Sequence, residues 1–155
     1  MTLTGGTTDV PVAPTLLEEV RAVLAGTVPT APEDLTGARS RYTDAPVDDP
    51  GLRERLVAAA ARLPVTPDPE TLRVHRHDVG DFTLPRRVGD TVAGAWALTF
   101  PLADSDTDGV TAWTGERFER LPDRAGTGLL LPPGAWTWVS PVRGAPRYSV
   151  LMGVR

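Results

Sequence analysis

Residues 128–154 read GLLLPPGAWTWVSPVRGAPRYSVLMGV. The runs Gly128–Leu131, Trp136–Val139 and Tyr148–Val154 are rich in aliphatic, β-branched and aromatic residues, and Pro, Gly or Ser-Pro closes each of them. Such residues fit a pleated, half-buried surface, while glycine and proline supply the turns, so the stretch predicts short strands joined by tight connections. Successive strand side chains point to opposite faces, which separates Thr137 from both Trp136 and Trp138.

Upstream, Leu72–His77, Val92–Phe100 and Val110–Trp113 have the same character. Before them the period changes. Leu16, Leu17, Val20, Val23 and Leu24 recur at helical spacing, with Thr15 as N-cap, Glu18 completing a capping box and Gly26 as stop, predicting a helix over about 15–25. Leu52, Leu56, Ala59, Ala60 and Leu63 share a face of a second helix over about 50–63, capped by Asp49 and stopped by Pro64. Residues 1–13 read as a flexible leader, and 27–50 as a long connection with a short helical turn near Pro32–Leu35 and Tyr42 pinning it to the core. Residues 14–155 then form a single α+β domain with its β core over about 71–155. The strands make a barrel or sandwich with the helices on the outer face of its larger sheet.

Composition prunes the chemistry. A chain of 155 residues suits a single core. It has no cysteine, which removes thiolate nucleophiles, disulfides and iron–sulfur ligation. All its basic side chains are arginine, so lysine Schiff bases and the P-loop lysine are excluded. A net charge of −4 with dispersed arginines argues against nucleic acid, and no apolar run is long enough for a membrane span. Without an export-type segment, the expected compartment is the cytoplasm. Ala103–Asp108 carries three spaced aspartates but lacks the glycine frame and closing glutamate of a calcium loop, so it reads as a solvated turn.

Beyond Leu72 stand the blocks His77-Asp78-Val79-Gly80-Asp81-Phe82, Asp108-Gly109-Val110-Thr111-Ala112-Trp113, Val139-Ser140-Pro141-Val142, Gly144 and Arg147-Tyr148-Ser149. In these blocks the chain resembles the prolyl-4-hydroxylase-like branch of the 2-oxoglutarate/iron oxygenases. The resemblance implies a double-stranded β-helix of jelly-roll or cupin-like form. It also implies that Arg147, assisted by Ser149, is placed to meet the distal carboxylate of 2-oxoglutarate through two parallel hydrogen bonds. The family's metal triad has no counterpart: Arg86, Val88 and Thr137 stand where its first histidine, its acid and its remote histidine belong. An arginine there repels iron.

The histidines, His75 and His77, point to one face of a strand. They are open to several readings: a solvated pair, a metal site with Asp78, Asp81 or Asp90, or, for His77, an acid/base group lining the pocket. The leading expectation is a metal-independent, repurposed protein without cofactor. It binds a small anionic or carbonyl-bearing molecule through Arg147, Ser149, Arg86 and Thr137, with His77 as catalytic group for a non-redox cyclase- or isomerase-type reaction of specialised metabolism. The alternatives are a genuine iron/2-oxoglutarate hydroxylase with non-standard ligands, and a non-catalytic pseudoenzyme partner. The sequence leaves oligomeric state open.

Overall fold

The structure is a computed structural model that describes residues 5–26, 40–89, 95–113 and 115–155. Its elements are β1 (Gly6–Asp9), α1 (Thr15–Leu24), β2 (Thr43–Pro46), α2 (Pro50–Ala58), β3 (Pro67–His77), β4 (Thr83–Arg87), β5 (Trp96–Pro101), β6 (Gly109–Trp113), β7 (Phe118–Pro122), β8 (Thr127–Leu131), β9 (Trp136–Val139) and β10 (Arg147–Val154).

The strands form two antiparallel sheets, ordered β1-β8-β5-β10-β3-β2 and β4-β9-β6-β7. From β3 to β10 the chain alternates between them, except for the β6–β7 hairpin inside the smaller sheet. That winding is a double-stranded β-helix. One face of the large sheet carries Leu72, Val74, Leu98, Phe100, Val150, Met152 and Val154, which cluster with Leu16, Val20 and Leu24 of α1 and Leu52 and Leu56 of α2. A second cluster, with Val110, Ala112, Leu129, Leu131 and Val139, fills the space between the sheets. Alternation along each large-sheet strand thus sends one set of side chains to the helices and the other toward the small sheet.

Several boundaries differ from expectation. Residues 6–9 are no flexible leader: β1 pairs with β8, and Val10 is fully buried with its N–H on Gly126 O at 2.9 Å. Thr15 does not cap α1. Pro14 before it already has helical φ and ψ, no side chain caps the helix, and Leu16 N bonds Ala13 O instead. Asp49 does cap α2, its Oδ1 accepting from Leu52 N at 2.6 Å, but regular helix ends at Ala58 and short turns carry the chain to Leu63. The connection before Pro50 contains β2, which pairs with β3 and follows a buried Tyr42. Pro67 to Pro69, upstream of the expected strand start at Leu72, open β3 opposite the end of β10, while β4 and β7 lack an apolar run to announce them. The expected turn at Pro32–Leu35 and the start of the Val92–Phe100 run lie outside the described residues. No helix among the described residues is long and apolar enough to cross a membrane.

Candidate functional site

A cavity of about 170 Å³ lies between the sheets. From the large sheet, β3 contributes Thr71, His75 and His77, and β10 contributes Arg147, Ser149 and Leu151; from the small sheet come Thr83, Arg86, Thr137 and Val139. All five residues singled out from the sequence for the pocket, His77, Arg86, Thr137, Arg147 and Ser149, therefore line one cavity.

Arg86 stands opposite Thr137 across the β4–β9 ladder, and Val88 N bonds Ala135 O two residues further on. Period-two alternation puts Arg86, Val88 and Thr137 on the cavity side, while Trp136 is exposed and Trp138 meets the exposed Phe118 at a tilted angle. The Arg86 guanidinium donates to Tyr42 Oη at 3.0 Å and lies 5.4 Å from the centre of that ring.

His77 is almost fully buried, stacked on Tyr42 with rings 5.1 Å apart and nearly parallel. Its Nε2 shares a 2.8 Å hydrogen bond with the Thr83 hydroxyl, and its Nδ1 has no partner among the described residues. Burial, reinforced by the charges of Arg147, His75 and Arg86, pushes the imidazole down to about 2. With its pKa held there, the ring is neutral near pH 7 and hydrogen-bonds without carrying charge.

His75, which the sequence left as plausibly solvated, is in the cavity wall. It sits directly across from Asp44 in the β2–β3 ladder, with Nε2 3.3 Å from Oδ1. Burial lowers its pKa while Asp44 works against that shift. Asp44 also takes two hydrogen bonds from Arg73, at 2.9 and 2.8 Å. Against burial, which raises the Asp44 carboxyl, the bonds from His75 and Arg73 hold it at about 2. Asp44 escaped sequence reading because it comes from a segment whose composition is that of a loop, whereas Tyr42, expected to pin that segment to the core, is buried as expected.

Arg147 is buried, but its fork is engaged from within the chain. Nε donates to Asp123 Oδ2 at 2.7 Å, Nη2 to Oδ1 at 3.0 Å, and Nη1 to Ser149 Oγ at 3.1 Å. Burial pushes the Asp123 carboxyl up, opposed by Arg147. Of the two arginines expected to meet a ligand, Arg147 is thus neutralised from within, while Arg86 meets no carboxylate among the described residues.

The aspartates of 103–108 tie loops together. Asp104 accepts from Ala125 N, Asp106 from Arg124, and Asp108 from Arg143 N and Gly144 N. Asp81 and Asp78 likewise face Arg41 and Arg76, and no group of three His, Asp or Glu that could hold a metal occurs among the described residues. Asp90 lies outside them.

No family model and no curated protein matches the sequence. Solved structures do. The non-heme α-ketoglutarate-dependent epimerase SnoN from nogalamycin biosynthesis matches with a TM-score of 0.71 at 17% identity, over 97% of this chain and 78% of its own. A Pseudomonas putida prolyl-4-hydroxylase matches at 0.72 and 12%, over 99% and 94%. The viral collagen prolyl hydroxylase of Paramecium Bursaria Chlorella virus-1 matches at 0.59 and 12%, over 99% and 96%. The chain has the double-stranded β-helix fold of these 2-oxoglutarate/iron oxygenases, and at such identities the likeness is one of fold.

The groups implied by that fold do not fit the residues present. A guanidinium, an isopropyl group and a hydroxyl at 86, 88 and 137 are not an iron-binding set of imidazoles and carboxylate. The arginine that would receive the cosubstrate already holds Asp123.

Proposed function

We propose that this chain is a metal-independent protein that binds a small anionic or carbonyl-bearing molecule between its two sheets and acts on it without redox change. The observation that carries this reading is Arg86: a half-buried guanidinium in the cavity wall that meets no carboxylate among the described residues. A partly desolvated cation beside apolar Val88, Ala97 and Val139 favours a ligand that brings the missing negative charge or a polarisable carbonyl.

The other groups then have distinct tasks. The Thr137 hydroxyl and the unpartnered nitrogen of neutral His77 orient the ligand, because a buried polar atom left without a partner costs about 1–3 kcal/mol. Arg147 and Ser149 hold the shape of the deep wall. Proton transfer falls to His75, since Asp44 can orient its ring and stabilise the imidazolium formed when it accepts a proton. With Arg86 holding developing negative charge on an oxygen, that pair suffices for an isomerisation or cyclisation that starts from a proton next to a carbonyl.

Thermal unfolding of chelator-treated protein, followed across aromatic and branched carboxylic acids, cyclic ketones and matching neutral amides, tests this. Acids or ketones should raise the unfolding temperature in the wild type and fail to do so in Arg86→Ala, equally with and without manganese. A response that requires manganese would replace this reading by a metal-dependent one.

A further inference from the structure

Arg147 lines both the inter-sheet cavity and a second hollow, and Asp123 lines the second one. The two Nε/Nη2 to Oδ bonds between them, 2.7 and 3.0 Å long, form a planar fork meeting a planar carboxylate, the arrangement in which an arginine holds an external acid. Asp123 is no swinging plug. Its N–H donates to Asp108 O, its carbonyl accepts from Ser105 N, and Asp108 is fixed in turn by the backbone of Arg143 and Gly144. The backbone of Asp123 is thus anchored where its carboxylate meets Arg147.

We propose that Asp123 is a built-in carboxylate that takes, at Arg147, the place of the distal carboxylate of 2-oxoglutarate, and that removing its side chain turns this place into a receptor for a small external carboxylate. For 2-oxoglutarate to bind at Arg147 in the intact chain, Asp123 would have to give up its counter-ion while buried. That penalty weakens binding by roughly hundredfold or more relative to a chain without Asp123. The place at Arg147 is separate from the one assigned to a ligand at Arg86, which uses neither Asp123 nor the Arg147 fork.

Calorimetric titration of the full chain without added metal tests it, using 2-oxoglutarate and, separately, acetate. In an Arg86→Ala background, where no acid is held at Arg86, the chain that keeps Asp123 should give no saturable heat, Asp123→Ala should bind both acids at least about hundredfold more tightly than any response of that chain, and Asp123→Ala/Arg147→Met should lose the binding. Acetate binding alone in Asp123→Ala overturns the equivalence with 2-oxoglutarate; a folded Asp123→Ala that binds neither overturns the whole. If Asp123→Ala does not accumulate folded, it is refolded in acetate or in equal acetamide. Recovery in acetate only supports the proposal, and equal recovery in both overturns it. Micromolar binding of 2-oxoglutarate by the wild type, undiminished in Arg86→Ala, overturns it without any Asp123 variant. A ligand found for the Arg86 cavity leaves these outcomes unchanged, so the two readings fail separately.

Discussion

His77 Nε2 and Thr83 Oγ1 lie 2.8 Å apart across the turn between β3 and β4, and the imidazole in that bond is uncharged, its pKa held at about 2 mainly by burial. In the unfolded chain a histidine titrates near 6.5. A depressed native value means that stability is complete above the unfolded pKa and is lost as pH falls below it, because the unfolded chain takes up a proton that the native one refuses. From pH 7 to pH 5, His77 should therefore cost about 2 kcal/mol. The lowered His75 acts in the same direction, and Asp44 joins only once pH falls through the carboxylate range. Urea unfolding at the two pH values should show this loss, and His77→Gln should reduce it; an undiminished loss in His77→Gln would contradict a buried, neutral His77.

The Arg147–Asp123 pair leads to a contrast between breaking and replacing an ion pair. Both side chains are about 5% exposed, so Arg147→Met strands a buried carboxylate and should lower stability by about 3–5 kcal/mol. Arg147→Met/Asp123→Leu removes both charges and fills the space with apolar groups. It should recover most of the loss in urea unfolding. A double variant as unstable as the single one would mean that packing around Arg147, rather than the stranded charge, sets the cost.

The sequence made the cavity legible where side-chain type and strand alternation coincide. Thr137 between two tryptophans, Arg147 and Ser149 two residues apart, and His75 with His77 all reach the inner faces because period two dictates it. Asp123 was not legible as a partner of Arg147: the two lie 24 positions apart, and Asp123 follows an ordinary Leu-Pro pair at the end of β7. Asp44 was hidden for a similar reason, since Thr-Asp-Ala-Pro carries loop composition and becomes β2 only because β3 offers it a ladder. The pKa of His77 was hidden too. A single sequence cannot show how many cations will face one buried ring.

The two helix starts give opposite expectations for similar-looking substitutions. Asp49→Ala removes the 2.6 Å bond to Leu52 N and should destabilise the protein by about 1 kcal/mol in thermal or urea unfolding. Thr15→Ala removes no capping bond, because Thr15 already lies inside α1 and its side chain caps nothing. It should stay within about 0.5 kcal/mol of wild type. Equal losses at both sites would show that a cap at Thr15 forms in solution after all.

The edge of the large sheet depends on a contact between Val10 and Gly128. Val10 is fully buried just after β1, and a Cβ built on Gly128 would lie 2.6 Å from Val10 Cγ2, with Leu98 Cδ1 and Thr99 O at 3.3 and 3.4 Å. Val10→Ala should cost about 2 kcal/mol through lost burial and the gap left behind. Gly128→Ala should cost about 1–3 kcal/mol through overpacking against that valine. The two changes are complementary in shape: the methyl added at 128 enters the space vacated at 10. Val10→Ala/Gly128→Ala should therefore be more stable than the sum of the single losses predicts, by about 1 kcal/mol in a double-mutant cycle of urea unfolding. Strict additivity would instead locate the Gly128 constraint in Leu98 and the β5 backbone, which both variants leave in place. The N-terminal strand would then cover β8 without packing closely on it.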